Sequence, residues 1–67
     1  MIHIRVNGDT KQYDRPLAVS ELLQDMALAG KKVAVERNGE IVPRGVHGST
    51  LLLDGDRLEI VAAVGGG

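Results

Sequence analysis

The sequence predicts a two-layer α+β domain: a mixed sheet of four to five strands with one helix packed on one face. Three observations carry that prediction. Two Asn-Gly pairs, Asn7-Gly8 and Asn38-Gly39, sit between apolar-bearing runs and mark hairpins, because both central positions of such a turn tolerate positive φ. Between the two hairpins, Val19, Leu22, Leu23 and Met26 recur at the i, i+3, i+4, i+7 spacing of one helix face. A last run from Arg57 to Ala63 alternates like a strand. A single helix covers only one face of such a sheet, which leaves the other face open.

Taken in order, Ile2, Ile4 and Val6 alternate with His3 and Arg5, the period of a half-buried strand. The return strand is about Thr10 to Tyr13, broken by Asp14-Arg15-Pro16. In the helix, Ser20, Glu21, Gln24 and Asp25 take the polar face, and Glu21 near the start suits the helix dipole. The N-cap is open between Ala18, a weak cap, and Ser20, a late one. Leu28 and Gly30 mark the end, with Gly30 expected in the left-handed C′ position. Val33 to Glu36 reads as a buried strand, and Glu40 to Val42 returns briefly after the second Asn-Gly turn. Pro43 ends that strand and places it at a sheet edge. Arg44 to Ser49 is a loop, Thr50 to Leu53 a short apolar segment, and Asp54-Gly55-Asp56 a turn. The last strand sets Leu58, Ile60 and Ala62 on one face and Arg57, Glu59, Val61 and Ala63 on the other. Being apolar on both faces near its end, it belongs at the sheet centre, beside and parallel to the first strand.

Composition narrows the function classes. A chain of 67 residues buries only about 60% of its unfolded surface and needs an economical core. Cysteine is absent, so no disulfide contributes, and His3 and His47 lack a ligand-like spacing for zinc. The apolar fraction of 43% is almost wholly aliphatic, Tyr13 being the one aromatic. Eight basic and nine acidic residues are interspersed to a net charge of −1. That balance lacks the basic stripe and stacking aromatics of a nucleic-acid binder. The longest apolar run, Ile60 to Val64, is far short of the roughly 20 residues of a membrane span, so no membrane partner is expected. Met1 leads straight into a strand pattern, and a cytoplasmic protein without a leader is the expectation.

The sequence closes on Val64-Gly65-Gly66-Gly67. Glycines give up the most backbone entropy on ordering and have no side chain to pack. Taken alone, the run fits a frayed terminus or a thread that enters a narrow slot in another protein. Two units are expected: a domain over residues 1–63 and a tail over 64–67. Four extended residues reach roughly 13–14 Å, enough for the terminal carboxylate to enter a partner's site while the body stays outside. A side chain at 67 would crowd an attack on that carbonyl, and one at 66 would widen the thread.

The order and content of these segments resemble a known family. Ile4-Arg5-Val6-Asn7-Gly8, Val33-Ala34-Val35-Glu36, Asn38-Gly39-Glu40-Ile41-Val42-Pro43-Arg44, Asp54-Gly55-Asp56-Arg57-Leu58-Glu59-Ile60-Val61 and the final glycines are similar to the ThiS family, ubiquitin-like β-grasp sulfur carriers of thiamine biosynthesis. The resemblance implies that an ATP-using, E1-like adenylyltransferase of the ThiF type activates the terminal carboxylate. A sulfur donor system then converts it to a thiocarboxylate, and thiazole synthase of the ThiG type takes the sulfur for the thiazole ring. It implies Gly67 as the sulfur-carrying residue and Gly65, Gly66 and Gly67 as the stretch inserted into partner sites. The chain itself would be a carrier and co-substrate, not an enzyme, and would bind no cofactor, the ATP belonging to the partner. Ala18 departs from the family's frequent Thr at the helix start, which touches helix stability and not chemistry. Two further readings share the ending: a small subunit of molybdopterin synthase, which is usually longer and richer in aromatics, and a ubiquitin-like modifier or binding module.

Partner docking is expected on the open sheet face, at Ala34, Val61 and Ala63, with Leu51 to Leu53 adding to it. His47 reads as a surface histidine with no nucleophile placed beside it, and His3 as a residue of the open face. Asp54 and Asp56 lack the remaining ligands of a calcium loop.

Overall fold

The computed structural model describes residues 1–62. Ala63 and the expected tail from Val64 to Gly67 lie outside the described residues. Seven strands and one helix follow in the order β1 (Ile2–Val6), β2 (Asp9–Tyr13), β3 (Leu17–Ala18), α1 (Val19–Asp25), β4 (Val33–Arg37), β5 (Glu40–Ile41), a 3₁₀ turn (Arg44–Val46), β6 (Leu51–Leu52) and β7 (Arg57–Ala62). Five strands form the main sheet in the order β2-β1-β7-β4-β5. Its central pair, β1 and β7, is parallel and its other pairs are antiparallel, as the two-sided apolar character of the last strand predicts.

Both hairpins turn on their Asn-Gly pairs, with φ of 52° and 88° at Asn7-Gly8 and 51° and 87° at Asn38-Gly39. Positive φ at both central residues matches the right-handed twist of the flanking strands. Ile2, Ile4 and Val6 of β1, Val35 of β4 and Leu58 and Ile60 of β7 point to the helix side, where they meet Val19, Leu22 and Leu23. Burial of each such side chain contributes about 1.5–3 kcal/mol. Ala62, expected on this buried row, is exposed. Tyr13 ties β2 to the helix, its hydroxyl donating to Asp25 Oδ2 at 2.7 Å. Burial, then the Asp25 carboxylate, pushes its pKa up to about 12.

The helix begins at Ala18, which has no side-chain oxygen with which to cap. The missing cap is replaced from elsewhere. Glu21 Oε1 accepts the Ala18 N–H at 2.8 Å, and the Val19 and Ser20 N–H groups donate to the Thr50 and His47 carbonyls, both at 3.0 Å. Otherwise orphaned donors of the first turn are thus satisfied by tertiary contacts. The helix ends earlier than Gly30. Ala27, at φ 60°, takes the left-handed C′ position. The Ala27 N–H reaches the Gln24 carbonyl at 3.0 Å and the Leu28 N–H the Leu23 carbonyl at 2.7 Å, the two bonds of a Schellman motif. Leu28 then packs on the core, and that apolar anchor selects the stop over the glycine three residues later.

Two further expectations are corrected. His47 is not on the surface: it is 8% exposed, and its Nε2–H donates to the Val42 carbonyl at 3.0 Å. The loop folds back because its carbonyls are needed at the helix start, and this carries the ring inward. The Leu51 to Leu53 segment does not extend the open face of the main sheet. Leu51 and Leu52 pair with Ala18 and Leu17 in a separate two-stranded sheet, burying Leu17 and Leu52.

Candidate functional site

The open face of the main sheet is written by register. Ala34 of β4 lies opposite Val61 of β7, on the side away from the helix. Val61 is 58% exposed, and Ala34 is half-buried. The expected docking pair is therefore brought together, next to where the chain continues past Ala62. Ala63, the third expected docking residue, and Gly65, Gly66 and Gly67 lie outside the described residues.

One rung back, Glu36 faces Glu59 across β4 and β7, and Ile41 of β5 faces Glu36. Ile41 is 63% exposed and shares this face. Sequence reasoning missed it, although the pairing of Glu40 to Val42 across the Asn38-Gly39 turn could have placed it there. At the far end of the same face, Arg5 of β1 lies beside Arg57 of β7. Arg5, Glu36, Arg57 and Glu59 line an open depression of about 360 Å³ between the two hairpin turns. The face thus grades from cationic, through two carboxylates directly opposite one another, to apolar at the exit of β7. Like charges facing across a sheet repel, so this row is not there for the stability of the sheet.

His3 sits on the open face as expected, within 2.8 Å of Gln12 Nε2 and 3.5 Å of Asp54 Oδ1. The Asp54 carboxyl is held below its ordinary range, first by the His3 backbone N–H at 2.7 Å. Its role is to close the turn before β7. Among the described residues, no group of three or more His, Asp or Glu could hold a metal ion. No helix among them is long and apolar enough to cross a membrane. The described surface sets an apolar patch beside the end of β7, bordered by charges of both signs.

The least legible part of the site is its support. Asp56, read from sequence as half of a plain turn, is buried. Its Oδ2 accepts from the Leu53 N–H and from Arg37 Nε, both at 2.9 Å, and its Oδ1 from Asn38 Nδ2 at 3.1 Å. Burial alone would raise its pKa. The hydrogen bonds from Leu53, Asn38 and Arg37, with the Arg37 charge, outweigh that and hold it below the ordinary carboxylate range. Asn38 also binds β7 directly, its Oδ1 accepting the Arg57 N–H at 2.9 Å.

Comparison with known proteins places this geometry. The model of the ThiS family matches residues 4–67. The sulfur carrier protein ThiS of Bacillus subtilis is 38% identical over 65 residues, which covers 96% of this chain and 98% of that protein. A thiazole synthase of Paramagnetospirillum magneticum is 44% identical over 62 residues, 92% of this chain. The chain spans only 19% of that protein's length. Among solved structures, the crystal structure of the thiamine biosynthesis protein ThiS from Geobacter metallireducens superposes with a TM-score of 0.84 at 36% identity. The match covers 98% of this chain and 100% of that one.

Proposed function

This chain belongs to the ThiS family, and from that membership we propose that it carries sulfur for thiazole formation on the carboxylate of Gly67. The observation that carries the reading is that the family match runs through the glycines to residue 67. A carboxylate is a poor electrophile. Attack by Gly67 on the α-phosphorus of ATP, in an adenylating partner, releases pyrophosphate and leaves an acyl adenylate. A sulfur nucleophile then forms the C–S bond as AMP departs, and the product is a thiocarboxylate. The attack needs close approach and alignment at an unhindered carbonyl, which Gly66 and Gly67 supply by having no side chain. The described residues nearest that end of the open face, Ala34 and Val61, are apolar. The charges that stabilise ATP in the transition state therefore come from the partner.

In this reading the body over residues 1–63 docks through Ala34, Ile41 and Val61, Gly65 to Gly67 enter the partner's site, and ATP is the partner's co-substrate. The match to a thiazole synthase supports that enzyme class as the acceptor of the sulfur. A reaction that consumes ATP and reduced sulfur belongs, in this reading, in the cytoplasm. The chain is a co-substrate with no turnover of its own.

Incubation with an adenylating enzyme from the same genome, ATP and sulfide, followed by intact mass spectrometry, tests the reading. The expected result is a mass gain of one oxygen-for-sulfur exchange. It should be abolished by deletion of Gly67 while the melting temperature is retained. An unchanged mass with an enzyme active on another carrier would sink the proposal, and a covalent adduct on a protein lysine would replace it with a modifier role.

A further inference from the structure

The two flanks of β7 are held differently. On the β4 side, pairing is continuous from Arg37–Leu58 to Val33–Ala62. On the β1 side, it is recorded at Arg5–Arg57 and Val6–Leu58, and there β1 ends because the chain reverses at Asn7-Gly8. The Asn7 N–H still reaches the Leu58 carbonyl at 3.0 Å. One rung further along no strand backbone is available, and the Asn7 side chain takes its place. Its Nδ2 donates to the Ile60 carbonyl at 2.9 Å and its Oδ1 accepts the Ile60 N–H at 2.7 Å. A carboxamide carries the donor and acceptor of a peptide group, so one side chain supplies both halves of a ladder rung. Both bonds are part-buried and join residues 53 apart in sequence.

We propose that Asn7 is a positioning residue for the carrier reaction. Its side chain sets the last β1-side anchor of β7 among the described residues, two residues before Ala62, and together with the β4 pairing at Val33–Ala62 fixes the described end of the strand, from which the chain continues to Gly67. The inference rests on the carrier reading above. Asn7 touches no reacting atom and acts through the backbone of Ile60. A matched comparison lies within the molecule. Asn38 occupies the same turn position with nearly the same φ, yet its side chain grips Arg57 and Asp56 at the opposite end of β7.

Asn7→Gly and Asn38→Gly both preserve the positive-φ backbone and delete only the side-chain grip. In Asn7→Gly, the Ile60 amide should exchange with solvent about tenfold faster than in wild type, as expected for loss of one sheltered hydrogen bond. In Asn38→Gly it should not. Pyrophosphate exchange with the adenylating enzyme is then measured at a temperature where circular dichroism shows all three proteins folded. Asn7→Gly should lower kcat about tenfold through misplacement of the reacting end, with KM for the carrier within about twofold because the docking face is intact. Asn38→Gly should keep the wild-type kcat. A merely stabilising role leaves kcat and KM of both variants at their wild-type values, because all three proteins are folded at that temperature. That outcome, or wild-type exchange at Ile60 in Asn7→Gly, overturns the proposal. Absence of exchange activity in the wild type, with an enzyme active on another carrier, refutes the carrier reading and the positioning role with it. The amide measurement then still reports on the grip itself.

Discussion

At its start, β7 is fastened by a buried carboxylate that gathers Leu53, Arg37 and Asn38 around Asp56. Toward its finish it is fastened by backbone pairing with β4 and by one side-chain rung from Asn7. Both ends alternate between the same two faces, with Leu58 and Ile60 at 2% and 6% exposure on the helix side and Val61 at 58% on the open face. The difference separates two jobs along six residues. Cohesion of the domain is concentrated where the strand enters the sheet. The docking proposed above falls toward Ala62, where no buried ionised group stands among the described residues to make substitution costly.

That division can be broken at either end. Leu58→Ala should cost about 2–5 kcal/mol, the transfer energy of the side chain plus the cavity left behind. A domain of this size holds only about 3–10 kcal/mol in total, so the variant should approach complete unfolding in a urea titration. A loss below 1 kcal/mol would place the cohesion elsewhere. Asp56→Ala should cost about 2–3 kcal/mol by stranding the Leu53 N–H and releasing Arg37 and Asn38. Its effect is also pH-dependent. Because the folded pKa of Asp56 is lowered, its stabilisation is complete above the ordinary carboxylate range and is lost as pH falls through the folded value. The gap in melting temperature between wild type and Asp56→Asn should therefore be widest near neutrality and close in acid. A constant gap would remove the charge from the account. At the other end, Val61→Asp should move stability by no more than about 0.5–1 kcal/mol. It should raise the half-saturating concentration for the adenylating enzyme about tenfold. Full activity in that variant would move the docking surface off this face.

The fold was legible because its signals are local. Asn-Gly turns, one helical stripe and an alternating last strand each occupy a few neighbouring residues, and the parallel central pair follows from the apolar character of the last strand. The placement of Ala34 and Val61 on the open face was legible for the same reason, since alternation assigns faces without knowledge of distant contacts. What stayed hidden is held at long range. Asn7 looks like any turn asparagine until Ile60 is beside it. Asp56 looks like any turn aspartate until Arg37 and Asn38 close over it. His47 looks like a loop histidine until its carbonyl is needed at the helix start. Ala27 in a left-handed conformation runs against local preference, and the Leu28 anchor that outweighs it is a core contact. The place of Ile41 on the open face needed the register of a two-residue edge strand, which composition does not encode.

The parallel pairing of β1 with β7 has a kinetic consequence. Within this domain, the strand that fills the middle of the sheet comes after its two neighbours, β1 and β4, in chain order. Until β7 takes its place, β1 and β4 share no strand partner, since each pairs with it and not with the other. High contact order of this kind slows folding. The main sheet is therefore completed only when Arg5 meets Arg57 and Val6 meets Leu58, contacts that neither hairpin supplies by itself.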